Sequence, residues 1–374
     1  MSALYVHIPF CQSRCIYCGF FSTTQMELRQ RYVEALCQEL TLRNDYLGDE
    51  PVHTIYVGGG TPSTLSFSQL SMLFSHLRTF TNDFEQVGEF TVECNPDDVT
   101  DELASFLFQS GVNRVSMGAQ TFSDKRLRFL CRRHQAADIA AAMERLRRAG
   151  INNISIDLMY GFPDETLSEW HADVDAAIRL HPQHLSAYAL QYEEGTPLTR
   201  MLEQGQVVEI DEELSRQMYY DLKDRLNAAG YEHYEISNFA RPGYRSRHNS
   251  SYWQQVPYLG LGAGAHSYDS KSRQWNISDL EQYIQGIFSG HPFVEQEQLD
   301  ADTQYNELVM TRLRTAEGLP LSLLAPLHRQ YCLEQARRYI NDNLLMMTSG
   351  HHLCLTRQGI FVSDMVMADL MRAT

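Results

Sequence analysis

Short apolar runs recur along the first half of the chain, at residues 4–8, 54–57, 90–93, 114–117, 154–158 and 184–188, each followed by an amphipathic stretch. Runs this short predict buried strands, and the stretches between them carry helical spacing. In residues 26–46, Tyr32, Leu36 and Leu40 return every fourth position and so share one helix face. Thr100 before Asp101 and Glu102 reads as an N-cap with an acidic first turn, and Gly111, Gly150 and Gly230 fall where a left-handed C-cap closes a helix. Regular β then α alternation predicts a parallel sheet with crossover helices, either doubly wound or a full or partial barrel. Both place chemistry at the carboxyl ends of the strands.

The pattern changes after residue 240. Residues 242–268 are polar, aromatic and glycine-rich without any period, which predicts a long functional loop. Helical spacing returns at 280–288, 305–313 and 323–331, and residues 344–347 and 353–356 flank Ser349-Gly350 as a hairpin would. The expected organisation is therefore an α/β body over 1–240, a loop segment over 241–275 and a small helical domain with a wing over 276–374. A winged helix often binds DNA, but Asp plus Glu outnumber Lys plus Arg by 47 to 31, and a formal charge of −16 repels phosphodiester and anionic lipid surfaces. No apolar run is long enough to span a bilayer, and residues 1–7 lack the basic stretch of a signal peptide. The expectation is a cytoplasmic protein with no nucleic-acid partner and no integral membrane segment. Thiols stay reduced there, so the 8 cysteines read as ligands, nucleophiles or buried apolar groups.

Cys11-Gln12-Ser13-Arg14-Cys15-Ile16-Tyr17-Cys18 puts three thiols on one loop directly after the first predicted strand and Pro9. A 4Fe-4S cube held by three cysteines leaves one iron open to an exchangeable ligand. A structural zinc site needs a fourth Cys or His, and none follows nearby. Cys37, Cys94, Cys131, Cys332 and Cys354 lack partner spacing and read as core filler, with Cys94, beside Glu93, the one placed near a site. Gly58-Gly59-Gly60-Thr61-Pro62 follows the second strand, where backbone without side chains lets amides approach a ligand, although a plain turn would use the same residues. Glu93, Gln120, Arg132 and Asp157 fall in order at the ends of strands three to five or in the loops that follow. Each alone could be a cap or half of an ion pair; together they outline one edge. Arg247-His248-Asn249-Ser250-Ser251-Tyr252-Trp253 sets an imidazole, a candidate ligand, beside aromatic faces, although a hydrogen-bonded structural histidine would look the same. His266 is a second candidate, and His351-His352 reads as solvated surface.

The C-x-x-x-C-x-x-C spacing, with Tyr17 before its last cysteine, resembles the signature of the radical S-adenosylmethionine superfamily. That resemblance implies a partial (β/α)6 barrel of TIM-like form, followed here by the small C-terminal winged-helix-like domain. It implies S-adenosylmethionine chelating the open iron, an electron donor for the cluster, and cleavage of the cofactor to a 5′-deoxyadenosyl radical. It further implies that Tyr5, Tyr17, Gly59, Gly60, Thr61, Glu93, Gln120, Arg132 and Asp157 surround S-adenosylmethionine. Tyr5-Val6-His7-Ile8-Pro9-Phe10-Cys11 narrows the resemblance to the oxygen-independent coproporphyrinogen III dehydrogenase family, over nearly the whole chain. Phe20 stands where the decarboxylating enzymes carry a fourth cysteine, and the first cluster cysteine comes at residue 11 without their long N-terminal extension. Both features, and the His248 motif, are similar to the haem-chaperone branch. That branch implies haem bound through His248 with Asn249, Tyr252 and Trp253 beside it, and apo-proteins that receive the haem. The alternative is a coproporphyrinogen III dehydrogenase.

Overall fold

The computed structural model describes residues 1–81 and 83–372. Strands β1 (Ser2–Ile8), β2 (Val52–Gly59), β3 (Glu89–Cys94), β4 (Arg114–Gln120), β5 (Asn153–Tyr160) and β6 (His184–Ala189) lie parallel and in chain order. Helices α1 (Arg29–Leu42), α2 (Phe67–Phe80), α3 (Asp101–Gln109), α4 (Asp124–Phe129), α5 (Ala136–Ala149) and α6 (Leu167–Arg179) connect them, and α7 (Pro197–Glu203) and α8 (Glu212–Ala228) follow β6. All six expected strands and the Thr100 cap are present, and Gly150 closes α5 at φ +106°.

Strand side chains alternate between two faces. Val6, Val57, Val92, Met117, Ile156 and Ala187, one per strand, are buried in the apolar core under the helices. Their neighbours Tyr5, Tyr56, Glu93, Ser116, Asp157 and Ser186 face the other way and all line a single cavity of about 640 Å³. Six strands can share one cavity only if the sheet curls around it. The curl stays open, because β6 continues into antiparallel β8 (Asn238–Ala240) and then β7 (Glu232–Glu235), while β1 takes a further parallel strand on its other side. This is a partial (β/α)6 barrel whose outside is oily and whose lumen is polar.

That further strand belongs to the stretch expected to be a loop. Residues 247–276 instead form α9 (Arg247–Trp253), β9 (Tyr258–Leu261), β10 (His266–Tyr268) and β11 (Ser272–Asn276). Elements of three to seven residues are too short to display a period; β9 is held by its backbone pairing to β1 and the others by pairing to it in turn. The expected boundary at 276 also moves. Helix α10 (Leu280–Phe288) buries Leu280, Tyr283, Ile284 and Ile287 in the barrel core, and β12 (Val294–Gln298) completes the large sheet. A separate core begins with Tyr305 of α11 (Ala301–Leu313). It is completed by α12 (Pro326–Asn341), α14 (Ser363–Leu370) and the small sheet of β13 (Leu319–Pro320), β14 (Leu345–Met347) and β15 (His352–Leu355), with β14 and β15 forming the expected hairpin, while α13 (Arg357–Phe361) packs Ile360 against the barrel core. Among the described residues no helix is long and apolar enough to cross a membrane.

Candidate functional site

The cysteine loop leaves β1 at the carboxyl end of the barrel. It is tied down by backbone bonds from Cys11 N to Thr23 O (2.9 Å), Ile16 N to Leu130 O (3.3 Å) and Leu198 N to Ile16 O (3.0 Å). Cys11, Cys15 and Cys18 all line the cavity. Thr61 Oγ1 lies 3.6 Å from Cys11 Sγ, and Arg132 Nη1 lies 3.6 Å from Cys15 Sγ, so a cation and a hydroxyl face the sulfurs. Among the described residues no three His, Cys, Asp or Glu side chains converge as a single metal ion requires. A cube takes each thiolate on a different iron, so thiols spread around a cavity wall suit it better than they suit one tetrahedral ion. Tyr17 is half-buried between the loop and Leu130, Met159 and Phe162.

Below the loop, the residues expected around S-adenosylmethionine come together. Tyr5, Gly59, Gly60, Thr61, Glu93, Gln120, Arg132 and Asp157 all line the same cavity as the cysteines. Gly59 adopts φ +109°, and a Cβ there would lie on the His7 imidazole, so the residue has to be glycine. Its N–H donates to Glu93 Oε2 (3.0 Å), and Tyr56 OH donates to Oε1 (2.6 Å). Burial in the lumen pushes the Glu93 carboxyl up to about 7, against these two donors, and burial also raises Asp157. Arg132 Nη2 donates to Asn95 Oδ1 (2.8 Å) and Gly118 O (2.6 Å). Its buried Nε has no partner among the described residues. The site is a polar shaft with acids on one side, a cation on another and thiols at the top.

The histidine motif lies at the opposite end. Glu89, the first residue of β3, accepts from the backbone N–H of Arg247 and His248 (both 2.9 Å) and so seats the start of α9 across the amino-terminal mouth of the barrel. Asn249 lines the lumen cavity from below; His248, Tyr252 and Trp253 do not. His248 is 1% exposed, with Nδ1 bonded to Thr54 Oγ1 (2.9 Å) and Nε2 to Tyr252 OH (2.9 Å), and its ring stacks on Tyr56. Burial holds it neutral, at about 3. Neither nitrogen is open to iron, so the expected axial ligand is here a hydrogen-bonded pillar under the barrel. Tyr252 and Trp253 face outward into a surface groove that His266 also lines.

Other residues emerge only in three dimensions. Cys131, expected as core filler, is exposed at φ +60° and lines the cavity; Cys37, Cys94, Cys332 and Cys354 are buried as expected. His134, also on the cavity wall, keeps Nδ1 buried and unpartnered among the described residues. Arg114 is 1% exposed, yet its Nε and Nη1 have no partner among the described residues. It looks like an ordinary strand residue in the sequence; the inward alternation of Arg114, Ser116 and Gly118 was the signal that could have found it. Of the hairpin pair, His351 is exposed, while His352 Nδ1 bonds Glu317 O (2.9 Å).

Comparison with known proteins agrees with this geometry. Residues 5–177 match the Radical SAM superfamily and residues 299–362 the HemN C-terminal domain. The solved coproporphyrinogen III oxidase (HemN) from Escherichia coli superposes with a TM-score of 0.84 at 23% identity, covering 99% of this chain and 90% of that one. Barrel, cysteine loop and C-terminal domain together define a radical SAM protein. Full-length relatives narrow the class: the chain is 36% identical to Heme chaperone HemW of Bacillus subtilis over 85% of each chain. It is 36% identical to Heme chaperone HemW of Mycobacterium tuberculosis over 98% of this chain and 94% of that one. Heme chaperone HemW of Escherichia coli is 33% identical over 85% and 84%. The chain belongs to the HemW family.

Proposed function

We propose that this protein binds haem and hands it to apo-proteins in the cytoplasm, while holding a 4Fe-4S cluster and S-adenosylmethionine at the carboxyl end of its barrel. The observation that carries the reading is the placement of Tyr252, Trp253 and His266 around one surface groove, in a chain similar over nearly its full length to proteins named haem chaperones. When bound, the cluster supplies an electron and an open iron. Cys11, Cys15 and Cys18 would hold it, with Thr61 and Arg132 beside the sulfurs to soften their charge. Glu93 would accept from the amino group of S-adenosylmethionine beside the Gly59 amide, Arg132 would take its carboxylate, and Gln120 and Asp157 its ribose, with Tyr5 and Tyr17 walling the cavity.

The test is an anaerobic haem titration of the cluster-reconstituted protein, followed as a Soret difference spectrum, then mixing with an apo-haem protein. Saturable binding near one haem per chain and appearance of the acceptor's own spectrum are expected. The polar, cluster-facing lumen also suits radical chemistry, so coproporphyrinogen III should be incubated with reduced, S-adenosylmethionine-loaded protein. Formation of protoporphyrinogen IX would favour the decarboxylase instead.

A further inference from the structure

The antiparallel strands beside α9 present a flat aromatic face. In the register of β10 and β11, His266 stands opposite Trp275 and Tyr268 opposite Arg273, while Tyr268 also pairs with Tyr258 of β9. Cross-strand partners share a face, and His266 and Trp275 stack at 5.7 Å between ring centres. The end of α9 forms one wall over this face and α11 the other, leaving a groove of about 270 Å³ lined by Tyr252, Trp253, Tyr258, His266, Tyr268 and Met310.

We infer that haem docks in this groove with His266 as its iron ligand. The inference rests on the haem reading above and makes it specific. A macrocycle needs flat apolar walls, a nitrogen donor and partners for its carboxylates. The four aromatic rings and the exposed Met310 thioether provide the walls. His266 is exposed on its strand, and no hydrogen bond engages its ring among the described residues, unlike both nitrogens of His248. Trp253 Nε1 and Arg273 Nε are buried donors without a partner among the described residues, and both residues line the groove, where the partly exposed Arg273 guanidinium is the cation a propionate needs. Arg273 is otherwise paired with Glu307 (2.7 Å). The volume is below the ~300–1,000 Å³ of sites that enclose a drug-sized ligand, so haem would enter by part of its face and leave the rest open to a receiving protein. His248 then acts through another residue: its Nε2 fixes Tyr252, whose ring meets Tyr258 edge-on at 4.8 Å, so it positions the groove wall without touching iron.

The experiment is an anaerobic titration of full-length, cluster-reconstituted protein with hemin, read by Soret difference and electron paramagnetic resonance spectra, on the unsubstituted chain and on H266A, H248A and H266M, with thermal melts beside them. His266→Ala should weaken binding at least about tenfold and remove the nitrogen-ligated signature, which added imidazole should restore. His248→Ala should weaken binding less and keep that signature. His266→Met, which retains a side chain of similar length at an exposed position, should bind hemin with an altered spectrum. Wild-type affinity and spectrum in H266A or H266M, or loss of the nitrogen signature in H248A alone, would overturn the assignment. No saturable binding by the unsubstituted chain would overturn the haem reading itself.

Discussion

Glu93 is built to be ambivalent. Two donors favour its charged form, yet the lumen holds its carboxyl near 7 rather than the usual carboxylate range. The folded protein therefore keeps a proton that the unfolded chain releases at lower pH, so the contribution of Glu93 to stability is greatest below about 4.5 and declines as pH rises to about 7. An amino group that donates to this carboxyl is held best by the opposite, charged form. Affinity for S-adenosylmethionine, measured by equilibrium dialysis, should rise with pH and level off above about 7. Glu93→Gln should flatten the profile and cost about 1.5–3 kcal/mol of binding, the worth of a charged hydrogen bond. The cysteines give a plainer test. Replacing Cys11, Cys15 and Cys18 together with alanine should abolish the iron–sulfur absorbance and the acid-labile sulfide, and retention of stoichiometric sulfide would refute their assignment.

Helix α9 has seven residues, below the length at which an isolated helix holds together, so its stability is tertiary. Ser246 Oγ caps Asn249 N, and the buried Glu89 carboxylate receives two backbone donors at the start of the helix dipole. Glu89→Ala should cost about 1–3 kcal/mol by leaving those donors buried and unpaired. Amide hydrogen exchange should localise the loss to residues 246–253, and uniform loosening across the barrel would contradict the role. This dependence on distant partners is why the segment looked like a loop in the sequence. The strands of the barrel were legible because each is a short apolar run set between stretches of helical spacing, and helix caps such as Thr100 and Gly150 are local signals. The cluster loop and the lumen acids were legible for the same reason, since spacing and strand ends are sequence properties. The state of His248 was not: its type and aromatic neighbours fit a ligand, but Thr54 and Tyr252 occupy its nitrogens, and the Thr54 contact spans nearly two hundred residues. Exposure of Cys131 likewise depends on where the loop between α4 and α5 meets the cavity.

Beside a small apolar cluster of Leu130, Met159, Phe162, Leu190 and Leu198, the described residues form two large apolar cores, one under the barrel helices and one around α11, α12 and α14. Polar contacts join them. Arg314 Nη2 reaches the buried Glu235 Oε1 at 2.9 Å, Ile236 N donates to Arg314 O (3.0 Å), and Arg357 pairs with Asp224 across the surface. Because each unit has its own large core, the seam is a natural place for separate unfolding. The groove proposed for haem lies on this seam, with His266 and Tyr268 contributed by the barrel sheet and Met310 by α11. A ligand that bridges both units must stabilise their docking by its binding free energy, about 2.7 kcal/mol at a free concentration one hundred times its Kd. Calorimetry of the cluster-loaded protein should therefore resolve two transitions that haem draws together. Arg314→Ala leaves the Glu235 carboxylate buried without its cation, and should lower the transition of the smaller unit and weaken haem binding in the same variant. Haem that raised the barrel transition while leaving the smaller unit unmoved would place the ligand within the lumen instead of the seam, since only a site built from both units can couple them.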